Sequence, residues 1–144
     1  MSVSLIHFVK GDLPFPLNKK VPFKRHLLKV IGMETYILED LSVISCSDEY
    51  LLKINRGYLQ HDDYTDVITF DNSDAPKTVS GDIFISFERI KDNATSLKIP
   101  FDQELSRVII HGLLHLLGYK DKTPKTKKTM TEKEDFYLAL LKNN

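Results

Sequence analysis

The sequence predicts a single α+β domain, built from a roughly four-stranded mixed sheet packed with about five helices. Short runs rich in β-branched residues alternate along the chain with longer segments in which apolar residues recur at helical spacing. No linker, repeat or low-complexity stretch divides the 144 residues, and a chain of this length can bury one modest core. We therefore treat residues 1–144 as one domain.

The first half of the chain contains two predicted strands, at 2–9 and 41–46, and two predicted helices. A helix is expected over 22–33, with Pro22 in its first turn. Proline suits that position because the N–H that it lacks would have no hydrogen-bond partner within the helix. A second helix is expected over 48–59, because Ser47 is a good N-terminal cap and two acidic residues follow it.

The second half begins with strands at 67–70 and 81–87, which are close enough in sequence to pair as a hairpin. A helix is expected at 88–97, and a long apolar helix then ends at Gly118, where glycine suits the left-handed conformation. A last helix is expected over 127–141. The long apolar helix is expected to be central to the fold.

Cysteine usage and the lack of targeting signals indicate a cytoplasmic protein. Cys46 is the only cysteine, so no internal disulfide can form, and its apolar neighbours predict a buried core residue. The first ten residues lack the basic start and apolar stretch of a signal peptide. The longest apolar run, 108–119, is too short to span a bilayer, so no membrane association is expected.

The clearest chemical feature is the segment 111–121, which reads H-G-L-L-H-L-L-G-Y-K-D. His111 and His115 are four residues apart, so on a helix both rings point the same way and can bind one metal ion. Gly118 ends the helix and lets the chain curl back, which brings the carboxylate of Asp121 towards the same ion. Two histidines and one carboxylate with an open position are typical of a catalytic metal site. The alternative is a pair of histidines packed in a helical interior.

The residue after the first histidine excludes one class of enzyme. Peptidases with the motif H-E-x-x-H use that glutamate as the general base, and Gly112 stands in its place here. The base must then come from elsewhere, or a water activated by the ion must act as the nucleophile.

A cluster of lysines follows the proposed site. Lys120 and Lys122 lie on either side of Asp121, and three more lysines follow within six residues of Lys122. A solvated loop is the ordinary interpretation of such a run. Because twenty basic residues offset twenty acidic ones, the protein cannot coat nucleic acid by bulk charge. A local cluster beside a metal nevertheless suits an anionic substrate such as a phosphodiester.

The sequence resembles the YbeY family of metal-dependent endoribonucleases. The family's hallmark, H-G-x-L-H-L-x-G-Y-D-H, is similar to residues 111–121. Residues 51–70 are similar to the family's segment L-N-x-x-Y-R-x-x-D-x-x-T-D-V-L-S-F, and residues 80–85 resemble its G-D-I-x-I strand. The matches run in the family's order from about residue 41 to the end of the chain.

The resemblance implies one zinc-type ion in a three-ligand site and cleavage of single-stranded RNA. It also implies a role in the maturation of ribosomal RNA and in ribosome quality control, so that RNA and the ribosome are the expected partners and DNA is not. His111 and His115 match the first two metal ligands, whereas Asp121 stands where the family has a third histidine. Aspartate is a competent ligand, but its charge should weaken the Lewis acidity of the ion.

A second departure concerns an arginine that follows a tyrosine in the family and is implicated in its catalysis. Leu59 holds that position here. Arg56 lies three residues earlier on nearly the same helical face, and we hypothesise that it takes the catalytic role. An exposed arginine in an ion pair is the alternative. Asp66, in the T-D-V match, either lines the cleft and meets substrate or caps a turn.

These observations favour a cytoplasmic endoribonuclease with one divalent ion, most simply Zn²⁺. The attacking group is either a water activated by the ion or the 2′-hydroxyl of the RNA, and the residues do not separate these routes. Two other functions stay open: a metal hydrolase with a substrate other than RNA, and a ribosome-associated RNA-binding factor in which the metal is structural.

Overall fold

The computed structural model describes residues 2–17, 19–59 and 64–142. Within them a short 3₁₀ turn, Val3–Leu5, precedes four strands and five α-helices. In chain order these are β1 (Ile6–Lys10), α1 (Lys20–Met33), β2 (Ile37–Cys46), α2 (Asp48–Tyr58), β3 (Val67–Asp71), β4 (Thr78–Ser86), α3 (Phe87–Leu97), α4 (Phe101–Leu116) and α5 (Pro124–Lys142).

The four strands form one mixed sheet in the order β1-β2-β4-β3. The three strands β1, β2 and β4 run parallel, while β3 pairs antiparallel with β4 as the edge strand of the hairpin that the sequence predicts. The α+β class and the four-stranded mixed sheet are thus confirmed. Because β3 is an edge strand, one of its long sides pairs with no other strand among the described residues, and this side borders the candidate site.

Helix α4 is the centre of the fold. It packs against β3, β4, α3 and α5, and ten of its sixteen residues are buried. A helix with apolar residues nearly all round is expected to be surrounded by other elements, as this one is. The buried set also includes Glu104, a carboxylate whose exposure is 0% and which accepts a hydrogen bond from Arg107.

Several element boundaries differ from the sequence prediction, including the starts of α1 at Lys20 and of β4 at Thr78. The first strand begins at Ile6 rather than residue 2, because the Ser2 side chain caps the 3₁₀ turn by accepting from the Ser4 N–H. Strand β2 begins four residues earlier than expected, at Ile37, where it pairs with the start of β4. Helix α5 begins at Pro124, not residue 127, because Thr123 and Thr126 exchange backbone-to-side-chain hydrogen bonds at 3.0 and 3.1 Å.

Cys46 is fully buried at the end of β2, as the sequence predicts, and burial raises the pKa of its thiol to about 12. Among the helices of the described residues, none has the length and apolar character needed to cross a membrane.

Gly112 allows α4 to approach the sheet closely. A Cβ at this position would lie 2.8 Å from Cγ2 of Ile83 on β4, and 3.2 and 3.3 Å from methyl groups of Val67 and Thr69 on β3. A larger side chain would force the helix or the neighbouring side chains to shift. The glycine that replaces the glutamate of H-E-x-x-H peptidases is therefore a packing requirement here.

We expect Gly112→Ala to lower the free energy of unfolding by about 1–3 kcal/mol, the usual cost of overpacking a core. Gly57→Ala is the matched control, since a Cβ on this exposed residue of α2 meets nothing within 4 Å. That change should stabilise the helix by up to about 1 kcal/mol. Urea titration of both variants measures the difference, and equal effects would contradict the close packing.

Candidate metal centre

Helix α4 carries His111 and His115 on adjacent turns of its last half. Their ring centroids are 4.7 Å apart and their Nε2 atoms are 3.1 Å apart. The i, i+4 spacing places both rings on one side of the helix, as the sequence predicts. The His111 side chain is 18% exposed and the His115 side chain 27% exposed, so both are mostly buried but reach the surface at a cleft.

The turn after α4 brings Asp121 to the two rings. The helix ends at Leu116, and Gly118 adopts a φ of 94°, the left-handed conformation that glycine tolerates. The chain then reverses, and Oδ2 of Asp121 lies 3.3 Å from Nε2 of His111 and 3.4 Å from Nε2 of His115. The predicted helix stop at Gly118 and the approach of Asp121 are both present in the structure.

The three ligand atoms have the spacing that a metal ion requires. An ion held tetrahedrally by nitrogen and oxygen atoms at about 2.0–2.1 Å separates its ligand atoms by about 3.3–3.4 Å. The observed separations are 3.1, 3.3 and 3.4 Å. Since the residues present fit the group in number, atom type and spacing, the cluster His111, His115 and Asp121 could hold a metal ion.

Hydrogen bonds at the far side of each ring fix which nitrogen faces the cluster. Nδ1 of His111 lies 2.6 Å from Oε2 of Glu134, and Nδ1 of His115 lies 3.1 Å from the backbone oxygen of Tyr119. Because a carboxylate and a carbonyl can only accept, both Nδ1 atoms must donate. The lone pairs of neutral rings then sit on the two Nε2 atoms, which face each other at 3.1 Å and repel unless a cation lies between them.

Glu134 also sets the electrostatics of His111. Burial alone lowers the pKa of His111, but the hydrogen bond and charge of Glu134, with the charges of Asp121 and Asp66, outweigh it and raise the pKa above the usual value. The same surroundings that favour a proton on the ring favour any other cation. A metal ion that binds here must displace that proton, so that binding depends on pH.

Behind Glu134, a network of buried and partly buried charges connects three helices. Arg107 on α4 donates from Nε to Glu104 at 2.8 Å and from Nη1 to Glu134 at 3.2 Å. Its Nη2 lies 3.7 Å from Asp66, whose carboxylate also accepts from Asn93 of α3 at 3.2 Å. The carboxylates around Arg107 raise the pKa of its guanidinium, so it stays charged.

The site opens into a cleft of about 690 Å³, a volume typical of ligand sites. The cleft runs along the free edge of β3 between α2 and the turn after α4. Its lining, among the described residues, consists of Asn55, Leu59, Tyr64, Thr65, Asp66, Val67, Ile68, Thr69, His111, His115, Asp121 and Lys122.

The other residues singled out by the sequence lie at different distances from this cleft. Asp66 and Lys122 line it, and burial raises the pKa of Asp66. Lys120 is exposed and borders a separate depression with Tyr119. Arg56 is exposed on α2 and does not line the cleft. Tyr64 does line it, and the positive charge of Arg56 acts on the Tyr64 hydroxyl.

Sequence reasoning missed Glu134 and the backbone oxygen of Tyr119, the two groups that orient the histidines. Glu134 lies between the buried residues Met130 and Tyr137 on one side of α5. A charged residue on an otherwise apolar helical stripe is a signal that it has a buried partner. The identity of that partner, 23 residues away on another helix, is not readable from spacing.

The family model described as "Endoribonuclease YbeY" matches residues 19–142 of the chain. A relative from Cytophaga hutchinsonii with the name "Endoribonuclease YbeY" is 48% identical over 142 residues and covers 99% of each chain. A second relative of that name, from Christiangramia forsetii, is 48% identical over 126 residues, 88% of this chain and 87% of its own.

A protein from Thermotoga maritima with a solved solution structure has the same fold. It superimposes with a TM-score of 0.66 at 26% identity, covering 94% of this chain and 88% of its own. The likeness in fold thus extends over most of both chains. From the match of the family model and the identity with these relatives, the chain belongs to the YbeY family.

Proposed function

We propose that this chain is a metal-dependent endoribonuclease that cleaves single-stranded RNA, in the maturation of ribosomal RNA and in ribosome quality control. The observation that carries the proposal is the convergence of three ligand atoms on the floor of an open cleft. The names of its relatives support an RNA substrate. RNA and the ribosome are then its partners, DNA and membranes are not, and the cytoplasm is where it acts.

We propose that His111, His115 and Asp121 hold one divalent ion per chain, with Zn²⁺ the best fit to two imidazoles and a carboxylate. Three protein ligands leave a position open, which distinguishes catalytic from structural zinc sites. When bound, such an ion supplies positive charge that activates water and stabilises negative charge developing on a phosphate. This open position argues against a purely structural metal.

The remaining roles belong to residues in and beside the cleft. Lys122 lines the cleft next to Asp121, where its ammonium group can bind a phosphate of the substrate, and Lys120, exposed on the other side of Asp121, can bind a phosphate just outside the cleft. Arg56, exposed on α2 and outside the lining of the cleft, supplies a further positive charge to the phosphate. Asp66 contacts substrate at the cleft, where its link to Arg107 holds it in position.

Cleavage should depend on both the ion and the histidines. Metal-loaded protein should cut single-stranded RNA and leave duplex RNA intact, and a chelator should abolish the activity until Zn²⁺ is restored. His115→Ala should abolish it as well, because two ligands cannot hold the ion tightly. The matched control is His7→Ala, an exposed histidine paired with Asp40 on the sheet's other edge. Gel analysis of end-labelled RNA measures cleavage by the wild type, with and without chelator, and by the two variants.

Equal cleavage by wild type and His115→Ala would contradict the proposal. Protein that binds metal and RNA but cuts neither single-stranded nor duplex RNA would favour the RNA-binding factor with a structural metal.

In the same assay Arg56→Ala should lower the rate of cleavage by about tenfold or more without lowering metal content, since Arg56 lies outside the ligand cluster. Lys53→Ala, an exposed change on the same helix, should leave the rate unchanged.

Loss of Glu134 should weaken metal binding. Glu134→Ala removes the acceptor that orients His111, and loss of such a partner costs about 10–100-fold in metal affinity. Glu134→Gln keeps an acceptor oxygen and should lose less. Glu132→Ala, an exposed glutamate on the same helix, should leave affinity unchanged. Competition with a chromophoric chelator gives the three dissociation constants, and equal values would show that Glu134 does not orient a ligand.

A further inference from the structure

A second carboxylate, Glu34, lies at the end of α1 and anchors the turn that carries Asp121. Its Oε1 accepts from the Tyr119 hydroxyl at 2.6 Å, and its Oε2 accepts from the Tyr137 hydroxyl and, at 3.2 Å, from Nζ of Lys133. The Glu34 side chain is only 11% exposed. Burial alone would raise its pKa, but the three donors outweigh burial and lower it, so Glu34 is an anion at neutral pH.

Tyr119 joins this anchor to the metal centre through its own backbone. Its hydroxyl is bound to Glu34, 85 residues away in the chain, while its carbonyl accepts from Nδ1 of His115 at 3.1 Å. Its N–H donates to the Leu114 carbonyl at 3.0 Å, which closes the end of α4. A shift of Tyr119 would therefore move the group that orients one ligand ring.

The third ligand depends on the same residue. In the described part of the chain, residues 120–122 make no backbone–backbone hydrogen bond. Beyond them the next anchor is Thr123, which exchanges hydrogen bonds with Thr126 at the start of α5. Asp121 thus sits in the middle of a short span held at its two ends by Tyr119 and Thr123. The freedom of such a span is set by how firmly its ends are held.

The short side chain of Asp121 makes this constraint stricter. A carboxylate oxygen is two bonds from Cβ, whereas the Nε2 of a histidine is three bonds away. An aspartate ligand therefore needs the backbone of the turn closer to the ion, with less room to compensate by rotating the side chain. Small displacements of the turn then cost coordination directly.

We propose that the Glu34–Tyr119 hydrogen bond is a positioning contact for the metal centre, which holds both the orientation of His115 and the reach of Asp121. The inference rests on the metal site of the proposed function. Tyr119 and Glu34 touch neither ion nor substrate in this account, and they act only through the two ligands. Lys133 contributes by neutralising Glu34, and its ammonium also lies over the rings of Tyr119 and Tyr137.

Two tyrosines bonded to one carboxylate provide a matched comparison. Tyr119→Phe and Tyr137→Phe each remove one hydroxyl that donates to Glu34, but only Tyr119 continues into the turn. We expect Tyr119→Phe to weaken Zn²⁺ binding by about tenfold, the lower end of the effect of groups that orient ligands. Tyr137→Phe should leave the dissociation constant within about twofold. Chelator competition on the full-length chain measures both.

A spectroscopic readout separates positioning from loss of stability. With Co²⁺ in place of Zn²⁺, the visible absorption bands report the geometry of the ligands, and they should change in Tyr119→Phe but not in Tyr137→Phe.

A double variant tests whether the two residues act together. In a Glu34→Ala background the further change Tyr119→Phe should have no added effect on metal affinity, because the acceptor is already lost.

The outcomes are distinguishable. Equal Zn²⁺ affinities and equal Co²⁺ spectra in Tyr119→Phe and Tyr137→Phe would overturn the inference and leave the proposed function intact. Failure of the wild-type protein to bind Zn²⁺ or Co²⁺ would contradict the proposed function, and the inference with it. If Tyr119→Phe does not fold, a wild-type-like affinity and Co²⁺ spectrum in Glu34→Ala would overturn the inference in its place.

Discussion

The hydrogen bonds at Nδ1 of His111 and His115 are the interactions on which the candidate metal centre depends. Each forces the protonated nitrogen away from the cluster and turns Nε2 towards Asp121. Helical spacing alone places two rings on one side of α4, but it does not choose between their nitrogens. Glu134 and the carbonyl of Tyr119 make that choice, so the geometry of the site comes from α5 and from the turn after α4 as much as from α4.

The buried charges explain why a helix so enclosed carries polar residues. Glu104 is fully buried and would be strongly destabilising without Arg107, and the same guanidinium also binds Glu134. The network also holds Glu134 in the position from which it orients His111. Gly112 completes the arrangement, since it lets the helix lie close enough to β3 for the histidines to face the open edge of the sheet.

The parts of the site that local spacing determines could be predicted from the sequence. The pair His111 and His115 follows from the helical period, and the return of Asp121 follows from Gly118. The partners could not be predicted, because Glu134 meets His111 and Glu34 meets Tyr119 only through packing of helices distant in the chain. The same holds for the fold. The β3–β4 hairpin could be predicted from its two neighbouring β-rich runs. The start of β1 could not, because the Ser2 side chain caps a 3₁₀ turn that takes the place of the first residues of the expected strand.

In the proposed metal centre, one ion is held by Nε2 of both histidines and by the carboxylate of Asp121. A crystal grown with Zn²⁺ and measured on both sides of the zinc absorption edge tests it directly, since the anomalous signal locates the ion without reference to the protein. We expect one peak per chain, about 2.0–2.2 Å from Nε2 of His111, Nε2 of His115 and a carboxylate oxygen of Asp121. No peak in the cleft, or a peak from which Asp121 points away, would contradict this account.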